Sequence, residues 1–224
     1  MEKIIDGKLS GRHKKWMRLI NDLKDKKILD IGCSYGWFEG FAVKSNYKEI
    51  FAIEPNEKDF AEAKEKVPQA HYLEGSALNI PFQNDYFDVV TIFDVIEHLS
   101  YNTEIKALKE ISRVLKPGGI LYLSIPHRTV LSNLLDPAWY FGHRHYSKRR
   151  IVNFLTQSGF RVNLIECGGG LFSQLYMILF YFNKLFFRKE TTLFRNWFDK
   201  KREEEYLNKK GFVTIFVKAR KLDN

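Results

Sequence analysis

An acidic residue and two glycines share one short turn near the amino end of the chain. Asp30, Gly32 and Gly36 occur in the run Asp-Ile-Gly-Cys-Ser-Tyr-Gly, directly after an apolar strand. Gly32 allows a tight turn and a close approach by a ligand, and Gly36 allows close packing where the next helix begins. A phosphate-binding loop would present a lysine or free N–H groups and would avoid an acid. The turn therefore predicts a cationic or zwitterionic ligand, although in isolation a plain glycine turn would explain it equally well.

Three further polar groups follow at the ends of later strands. Glu54 comes 24 positions after Asp30 and ends the second apolar strand. A carboxylate there can accept hydrogen bonds from both hydroxyls of a ribose. Ser76 and Ala77 form a polar turn after the third strand that would fit an adenine edge, and Asp94 follows the fourth strand. These positions extend the predicted site along the carboxyl edge of a sheet.

Histidines near strand ends are candidate general bases, because histidine titrates nearest neutral pH. They are His98, His127, His143 and His145. His127 directly follows the fifth strand, at the edge where a ligand binds, and His98 follows Glu97 after the fourth strand. One of His143 and His145 is expected to face the substrate, and the other to cap a helix or lie at the surface.

Short apolar strands alternate with helices, which indicates a parallel sheet covered on both faces and an α/β fold class. The expected strands are residues 27–31, 49–53, 70–73, 87–93, 120–125, 161–166 and 212–219. The expected helices run from the N-cap Asn56 to Pro68, through 105–115 to a stop at 117–119, and from Ser147 to 157.

The composition limits the classes of protein to which the chain can belong. Its 224 residues, 45% of them hydrophobic, suit one domain with a full core. The two cysteines, Cys33 and Cys167, exclude a disulfide framework and a cysteine-based zinc site. No apolar run has the length of a signal peptide or a membrane-spanning helix, so a cytoplasmic location is expected.

The net charge of +9 is unevenly distributed. Residues 28–100 contain 13 acidic and 5 basic residues, a balance of −8, whereas residues 184–221 contain 12 basic and 5 acidic residues, a balance of +7. A non-specific nucleic-acid binder would carry a more uniform basic coat. We therefore expect no nucleic-acid partner, and we expect anionic groups to meet the carboxyl-terminal part of the chain.

Five motifs in this order resemble those of the class I S-adenosylmethionine-dependent methyltransferases. They are Ile-Leu-Asp-Ile-Gly-Cys-Ser-Tyr-Gly (28–36), Ala-Ile-Glu (52–54), Phe-Asp-Val-Val (87–90), Val-Ile-Glu-His-Leu (95–99) and Arg-Val-Leu-Lys-Pro-Gly-Gly (113–119). The chain is most similar to the small-molecule branch that includes the ubiquinone-biosynthesis type O-methyltransferases. The resemblance covers 26–166, with 212–219 as an antiparallel last strand, and implies a doubly wound, mostly parallel seven-stranded sheet of Rossmann-like design.

The resemblance also implies S-adenosyl-L-methionine as the cofactor. Asp30 and Gly32 would line its methionine part, and Glu54 would hold the ribose hydroxyls. Ser76 and Ala77 would meet the adenine. In all, ten residues are assigned to the cofactor: Asp30, Gly32, Cys33, Ser34, Gly36, Glu54, Ser76, Ala77, Phe93 and Asp94.

Three positions depart from the family pattern. The usual middle glycine is Ser34, Tyr35 fills a position that is commonly small, and Ser76 stands where an aspartate is usual. By the same resemblance, Phe93 or Asp94 would close the pocket near the sulfonium. Because the acids and glycines of the pattern remain, cofactor binding is still expected.

Some ubiquinone-type relatives hold a divalent metal with an acid-x-x-Glu-His pattern, which Asp94, Glu97 and His98 match. Oxygen and nitrogen ligands at this spacing fit around one short turn. Many relatives without a metal carry a similar Glu-His pair, so no metal is assigned.

Residues 171–187 are almost entirely aromatic or aliphatic and interrupt the alternation of strands and helices. We expect a helical insertion or cap over 171–207, after an amino-terminal helical segment (1–25) and a cofactor-binding core (26–166). The insertion would form an apolar lid over the acceptor, or residues 171–202 would contact an anionic membrane peripherally. Its basic residues are Lys184, Arg188, Lys189, Arg195, Lys200, Lys201 and Arg202.

The expected function is transfer of a methyl group to an oxygen of a small, apolar or sugar-containing acceptor. A nicotinamide-dependent oxidoreductase is one alternative, but the turn lacks the full Gly-x-Gly-x-x-Gly and would place Asp30 near a pyrophosphate. A non-catalytic binding protein with the same fold is the other, and Ser34, Tyr35 and Ser76 leave it open.

Overall fold

The computed structural model describes residues 9–186, 195–208 and 211–223. Residues 1–8 of the expected amino-terminal segment and 187–194 of the expected insertion, including Arg188 and Lys189, lie outside these ranges. Among the described residues, no helix has the length and apolar character needed to cross a membrane.

Seven strands form one sheet in the order β3-β2-β1-β4-β5-β7-β6. They are β1 (Lys27–Ile31), β2 (Glu49–Glu54), β3 (His71–Glu74), β4 (Phe87–Phe93), β5 (Leu115–Pro126), β6 (Phe160–Gly168) and β7 (Thr214–Lys221). β7 is antiparallel to both its neighbours, β5 and β6. The pairs β1–β2, β1–β4, β2–β3 and β4–β5 are parallel, which confirms the mostly parallel doubly wound sheet.

Eight α-helices accompany the sheet within the described ranges. They are α1 (Gly11–Leu19), α2 (Trp37–Ala42), α3 (Glu57–Lys66), α4 (Glu104–Val114), α5 (Val130–Leu135), α6 (Lys148–Gln157), α7 (Leu171–Phe186) and α8 (Arg195–Leu207). The predicted caps are confirmed: Asn56 accepts a hydrogen bond from the N–H of Lys58, and Ser147 from the N–H of Arg150. Two short 3-10 turns, Ile96–His98 and Pro137–Phe141, follow β4 and α5.

The strands are apolar because helices cover both faces of the sheet. In β1, Leu29 and Ile31 pack into the cluster that contains the buried stripe of α4, while Ile28 packs into the cluster on the other face, with Phe38 of α2. Successive side chains of a strand point to opposite faces. Asp30 is therefore on the face of Ile28, beneath α2.

The expected helix stop at 117–119 is wrong. α4 ends at Val114, and β5 already begins at Leu115, so Pro117 and Gly118 lie inside the strand. The pairing between β4 and β5 shifts there, from Phe87 opposite Leu115 to Val89 opposite Ile120. A bulge accommodates a proline without an N–H and a glycine with φ of 72°. The last strand is likewise displaced from 212–219 to Thr214–Lys221.

The helices α7 and α8 lie between β6 and β7 and are joined at one carboxylate. Glu205 of α8 accepts hydrogen bonds from the N–H groups of Gly170, Phe172 and Ser173 at 2.8–3.0 Å, and from the Ser173 hydroxyl. These N–H groups belong to the first turn of α7, where no preceding carbonyl can accept them. One side chain of α8 thus caps the beginning of α7.

Candidate active site

A cavity of about 460 Å³ lies at the carboxyl ends of β1, β2 and β4, and we call it the strand-end cavity. Seven of the ten residues predicted at the cofactor line it: Gly32, Ser34, Glu54, Ser76, Ala77, Phe93 and Asp94. This location is the edge at which doubly wound sheets bind ligands. The turn after β1, the end of β2 and the end of β4 therefore meet around one space.

The other three predicted residues lie behind the cavity wall. Cys33 is buried beside Phe60 of α3. Gly36, with φ of 82°, begins α2 so close to α3 that a Cβ would lie 2.9 Å from the Cβ of Ala63. Asp30 is 1% exposed and accepts a short hydrogen bond from the Thr91 hydroxyl. These three support the turn from below instead of facing the cavity.

Asp30 lies near a second buried carboxyl group, Glu39 of α2, whose two oxygens have no hydrogen-bond partner among the described residues. Burial raises the pKa of Asp30 to about 7, although the Thr91 hydroxyl opposes the shift. Burial and the neighbouring Asp30 raise the pKa of Glu39 well above its usual value. The pair therefore holds at least one proton near neutral pH. Sequence reasoning missed Glu39, whose only signal was an acid on the otherwise apolar α2.

Gly32 is required by the geometry of the turn. Its φ is 83°, and a Cβ at this position would lie 2.3 Å from a methyl carbon of Val95. The neighbouring Ser34 also has a positive φ, 47°. Its N–H donates to Oε2 of Glu54 at 3.3 Å. The Glu54 carboxylate is thereby tied to the turn while it lines the cavity.

The amino-terminal helix contributes residues that the sequence analysis did not assign to the site. Arg12 of α1 lines the strand-end cavity, and its Nη1 lies 2.7 Å from Oδ2 of Asp94. His13 packs against Trp37 with 4.6 Å between ring centres. Burial, with the nearby Arg12 and Arg202 charges, lowers the pKa of His13 to about 3, so this ring is neutral. In the sequence, the only indication that this segment contributes to the site was that it was expected to be helical and to precede β1.

A second cavity, of about 380 Å³, adjoins the first, and we call it the histidine cavity. Arg12, Asp94 and His98 belong to the walls of both cavities. The polar residues on its far side are Glu97, Asp136, His143 and His145, and its apolar residues include Pro126, Ala138, Met177, Tyr181 and Val213. A molecule in the histidine cavity would therefore lie next to one in the strand-end cavity.

His143 and His145 both reach this cavity, but they differ in exposure. The His145 side chain is 1% exposed, with Nε2 2.8 Å from Asp136 and Nδ1 2.8 Å from Asn133. The His143 side chain is 21% exposed and lies between Asp136 at 3.6 Å and Glu97 at 3.8 Å. Of the two, His143 is the one that can meet a ligand.

Glu97 and Asp136 have opposite electrostatic environments. Burial and the nearby Asp94 raise the pKa of Glu97 well above its usual value, and neither of its carboxylate oxygens has a hydrogen-bond partner among the described residues. For Asp136, the hydrogen bond with His145 and the nearby His143 ring outweigh burial and lower the pKa. One acid is thus disposed to hold a proton and the other to remain charged.

Arg144 positions the turn that carries Glu97 and His98. Its guanidinium donates to the carbonyls of Ile96 and Glu97 at 3.0 Å, and also to the carbonyl of Leu99. It forms an ion pair with Glu104 of α4 at 2.9 Å. A planar guanidinium presents five N–H donors in a fixed fork, a geometry that the ammonium group of lysine does not provide. Sequence reasoning missed this role because the partners lie 40 to 48 positions away.

His127 and His98 lie in different places. His98 lines both cavities, and burial, with the adjacent His143, lowers its pKa. His127 lies outside the walls of both cavities, and its Nδ1 is 3.6 Å from the sulfur of Cys167. Burial and Lys148 lower the pKa of His127. The strand-end position of His127 therefore does not bring its ring to either cavity.

Two overlapping groups of side chains have the spacing of metal ligands. Glu97, His98 and His143 place one ligand atom each within 4.8 Å of one another, and so do Asp136, His143 and His145. Asp94, the third member of the pattern considered from the sequence, instead pairs with Arg12.

The sequence comparisons identify relatives of known family. A family described as a methyltransferase domain matches residues 29–123. A probable S-adenosylmethionine-dependent methyltransferase of Mycobacterium tuberculosis is 26% identical over 68% of this chain and 55% of its own length. A ubiquinone/menaquinone biosynthesis C-methyltransferase, UbiE, of Campylobacter jejuni is 36% identical over 44% of this chain and 43% of its own length. The chain spans about half the length of the curated relatives it matches.

Solved structures share the whole fold at low sequence identity. A putative methyltransferase of Bacillus halodurans aligns with a TM-score of 0.68 at 22% identity, over 94% of this chain and 99% of that one. The cyclase SpnF aligns with a TM-score of 0.70 at 20% identity, over 98% of this chain and 85% of that one. Residues 29–123 therefore match a methyltransferase domain, and the chain is similar in sequence to S-adenosylmethionine-dependent methyltransferases and shares its fold with a solved putative methyltransferase.

Proposed function

We propose that this protein transfers a methyl group from S-adenosyl-L-methionine to a hydroxyl oxygen of a small acceptor with an apolar body. The observation that carries the proposal is the pair of adjoining cavities, which share Arg12, Asp94 and His98 in their walls. The strand-end cavity would take the cofactor, and the histidine cavity the acceptor. Holding two reactants side by side supplies much of the rate of such a transfer.

The residues of the strand-end cavity fit this cofactor. Its volume is within the usual range for small-molecule sites. Glu54 provides a carboxylate for two adjacent hydroxyls, and Gly32 provides a wall of backbone without a side chain. When bound, S-adenosylmethionine supplies a methyl group on a positively charged sulfur. Asp94, which is ion-paired with Arg12, places a carboxylate in the wall of the cavity near which the positive charge would lie.

The acceptor hydroxyl would lose its proton to an imidazole nitrogen of His98. This ring lines both cavities, and its lowered pKa keeps it neutral and able to accept a proton near pH 7. His143, between Glu97 and Asp136, would orient the hydroxyl from the other side. Met177 and Tyr181 would pack against the apolar part of the acceptor.

The proposal is tested first by titration calorimetry with S-adenosylmethionine and S-adenosylhomocysteine. We expect both to bind, and no heat with either would overturn the cofactor assignment. A titration with NADH is the comparison. If NADH binds and neither S-adenosyl compound does, the oxidoreductase alternative is favoured.

An acceptor screen with methyl-labelled cofactor then tests the reaction. The screen compares quinols, other apolar phenols, sugars and small acids, and mass spectrometry locates the added methyl group. Label on oxygen of an apolar hydroxyl compound supports the proposal. Label on carbon, on nitrogen or on sugars only would contradict the acceptor assigned here, and cofactor binding without any turnover would favour the non-catalytic alternative.

A further inference from the structure

We propose that the exposed faces of α5 and α7 form a docking surface for an anionic lipid membrane. This surface, which we call the apolar face, comprises Val130, Leu131, Leu134, Leu171, Leu175, Leu179 and Phe182. The two helices pack against each other.

The helix α7 exposes a row of large apolar side chains on one side. Leu171, Leu175, Leu179 and Phe182 recur at intervals of four, four and three residues, which places them along one side of the helix. Leu171 is 51% exposed and Phe182 is 49% exposed. In contrast, the polar Gln174, on another side, is 1% exposed. A helix that folds in water against its own protein normally has the reverse arrangement.

The shorter helix α5 repeats this inversion. Val130 is 88% exposed and Leu134 is 63% exposed, whereas Ser132 between them is 1% exposed. A single exposed apolar side chain is ordinary, but a run of them over two adjoining helices indicates a surface that is covered by something else.

The charge of the sequence in and after α7 favours anionic lipid as the occupant of the apolar face. No acidic residue occurs between Glu166 and Glu190, a stretch that contains all of α7. In sequence, Lys184, Arg188 and Lys189 follow the exposed leucines. A helix with a row of exposed apolar side chains, in a stretch of sequence that has cations and no acids of its own, has the pattern of a helix that lies in the headgroup region of a membrane.

Because another side of α7 faces the histidine cavity, a lipid contact on its exposed side would bring the membrane close to that cavity. Met177 and Tyr181 of the same helix line the histidine cavity. A membrane bound to the apolar face would therefore lie one helix diameter from that cavity, about 10 Å. An apolar acceptor dissolved in the bilayer would then enter without crossing bulk water. This last step depends on the proposed function, whereas the lipid contact itself does not.

The test is flotation of the purified protein with vesicles, with no acceptor or cofactor present. We expect the protein to float with vesicles of phosphatidylcholine and phosphatidylglycerol, and much less with phosphatidylcholine alone or at high salt. The variant Leu175→Gln/Leu179→Gln should partition about tenfold less or lower, because the burial of two leucines is lost. Leu222→Gln, at an exposed leucine beyond β7, is the matched control and should float like the parent protein.

Cofactor calorimetry and the thermal midpoint verify that each variant is folded. Absence of flotation with anionic vesicles, or equal flotation of the Leu175→Gln/Leu179→Gln variant and the parent, would overturn the proposal. So would a dimer in light scattering that this variant dissociates, because a second copy of the chain would then cover the apolar face. If the parent protein floats with anionic vesicles but binds no cofactor, the lipid contact is supported and only the proposed function is refuted.

Discussion

The guanidinium of Arg12 and the carboxylate of Asp94 lie 2.7 Å apart at the boundary between the two cavities. The ion pair joins α1, which precedes the sheet, to the residue that follows β4. Asp94 has a positive φ of 55°, so its backbone is held in a conformation that aspartate adopts only in specific turns. The pair thus fixes the amino-terminal helix over the strand ends.

The first prediction concerns the strength of this pair. A double-mutant cycle with Arg12→Met and Asp94→Asn should give a coupling free energy on the order of 1 kcal/mol for unfolding, because both side chains are partly shielded from water. Chemical denaturation of the four proteins measures it. The exposed pair Lys201–Glu204 on α8 is the control and should give a smaller coupling. Equal values for the two pairs would show that Arg12 does not fasten α1.

The second prediction concerns the cofactor. Glu54→Gln should weaken S-adenosylmethionine binding about tenfold or more, because the amide loses the charge that strengthens hydrogen bonds from hydroxyl groups. Calorimetry measures the dissociation constant. Glu74 ends β3 in register with Glu54 and lies outside the cavity walls described above, so Glu74→Gln is the matched control. An unchanged affinity of the Glu54 variant would remove its assignment to the ribose.

The third prediction concerns Arg144. Arg144→Lys keeps the positive charge but loses the forked donation to the carbonyls of Ile96 and Glu97. We expect the free energy of unfolding to fall by about 1–3 kcal/mol. Methyl transfer should slow while cofactor affinity changes little, since Arg144 lies on the side of the histidine cavity. Arg149→Lys, at an exposed residue of α6, should alter neither quantity. A large loss of cofactor affinity would contradict this division of roles.

The fourth prediction concerns the pH dependence of stability. Folding raises the pKa of Asp30 from 3.8 to about 7, so between these values the folded protein holds more protons than the unfolded chain. Stability should therefore fall as the pH rises from about 4 to about 7, and further above it where Glu39, whose pKa is also raised, loses its proton. Asp30→Asn or Glu39→Gln should reduce this pH dependence. A pKa shift of three units corresponds to a change of up to about 4 kcal/mol in the free energy of unfolding across the range. Denaturation across this pH range measures the effect, and Asp22→Asn, at an exposed residue, should retain the slope.

The fifth prediction concerns the base. Because burial lowers the pKa of His98, kcat for methyl transfer should be constant above about pH 6.5 and should decline only below it, where the ring becomes protonated. His98→Asn should abolish most of the activity and, in the residual rate, the acidic limb of the profile. His127→Asn, outside both cavities, should retain that limb. An acidic limb that survives in the His98 variant would assign the proton to another group.

The sheet was predictable because its strands are short apolar runs with distinct boundaries. β4 was predicted at 87–93 and is found there. The signal at 117–119 was ambiguous, since proline and glycine occur both after helices and in bulged strands. Only the pairing with β4 decides between these alternatives, and that pairing is not local in sequence.

The site residues that lie at strand ends could be predicted from the sequence. The residues that act through partners distant in sequence could not. Glu54 and Asp94 follow strands and line the cavity. Asp30 also occurs near the end of a strand, but the alternation within β1 directs it toward Glu39 under α2. Arg12 and Arg144 were missed because each acts on residues that are distant in sequence.

The carboxylate of Glu205 closes the insertion at its base. The stretch from Gly170 to Glu205 leaves the sheet and returns to the same point, and the N–H of Phe212 then donates to the carbonyl of Gly169 at 2.9 Å. The chain thus enters and leaves the insertion at one point between β6 and β7. Because α8 also packs against α1, through contacts that include the ion pair of Glu203 with Lys14, this single point connects the carboxyl-terminal insertion to the amino-terminal helix.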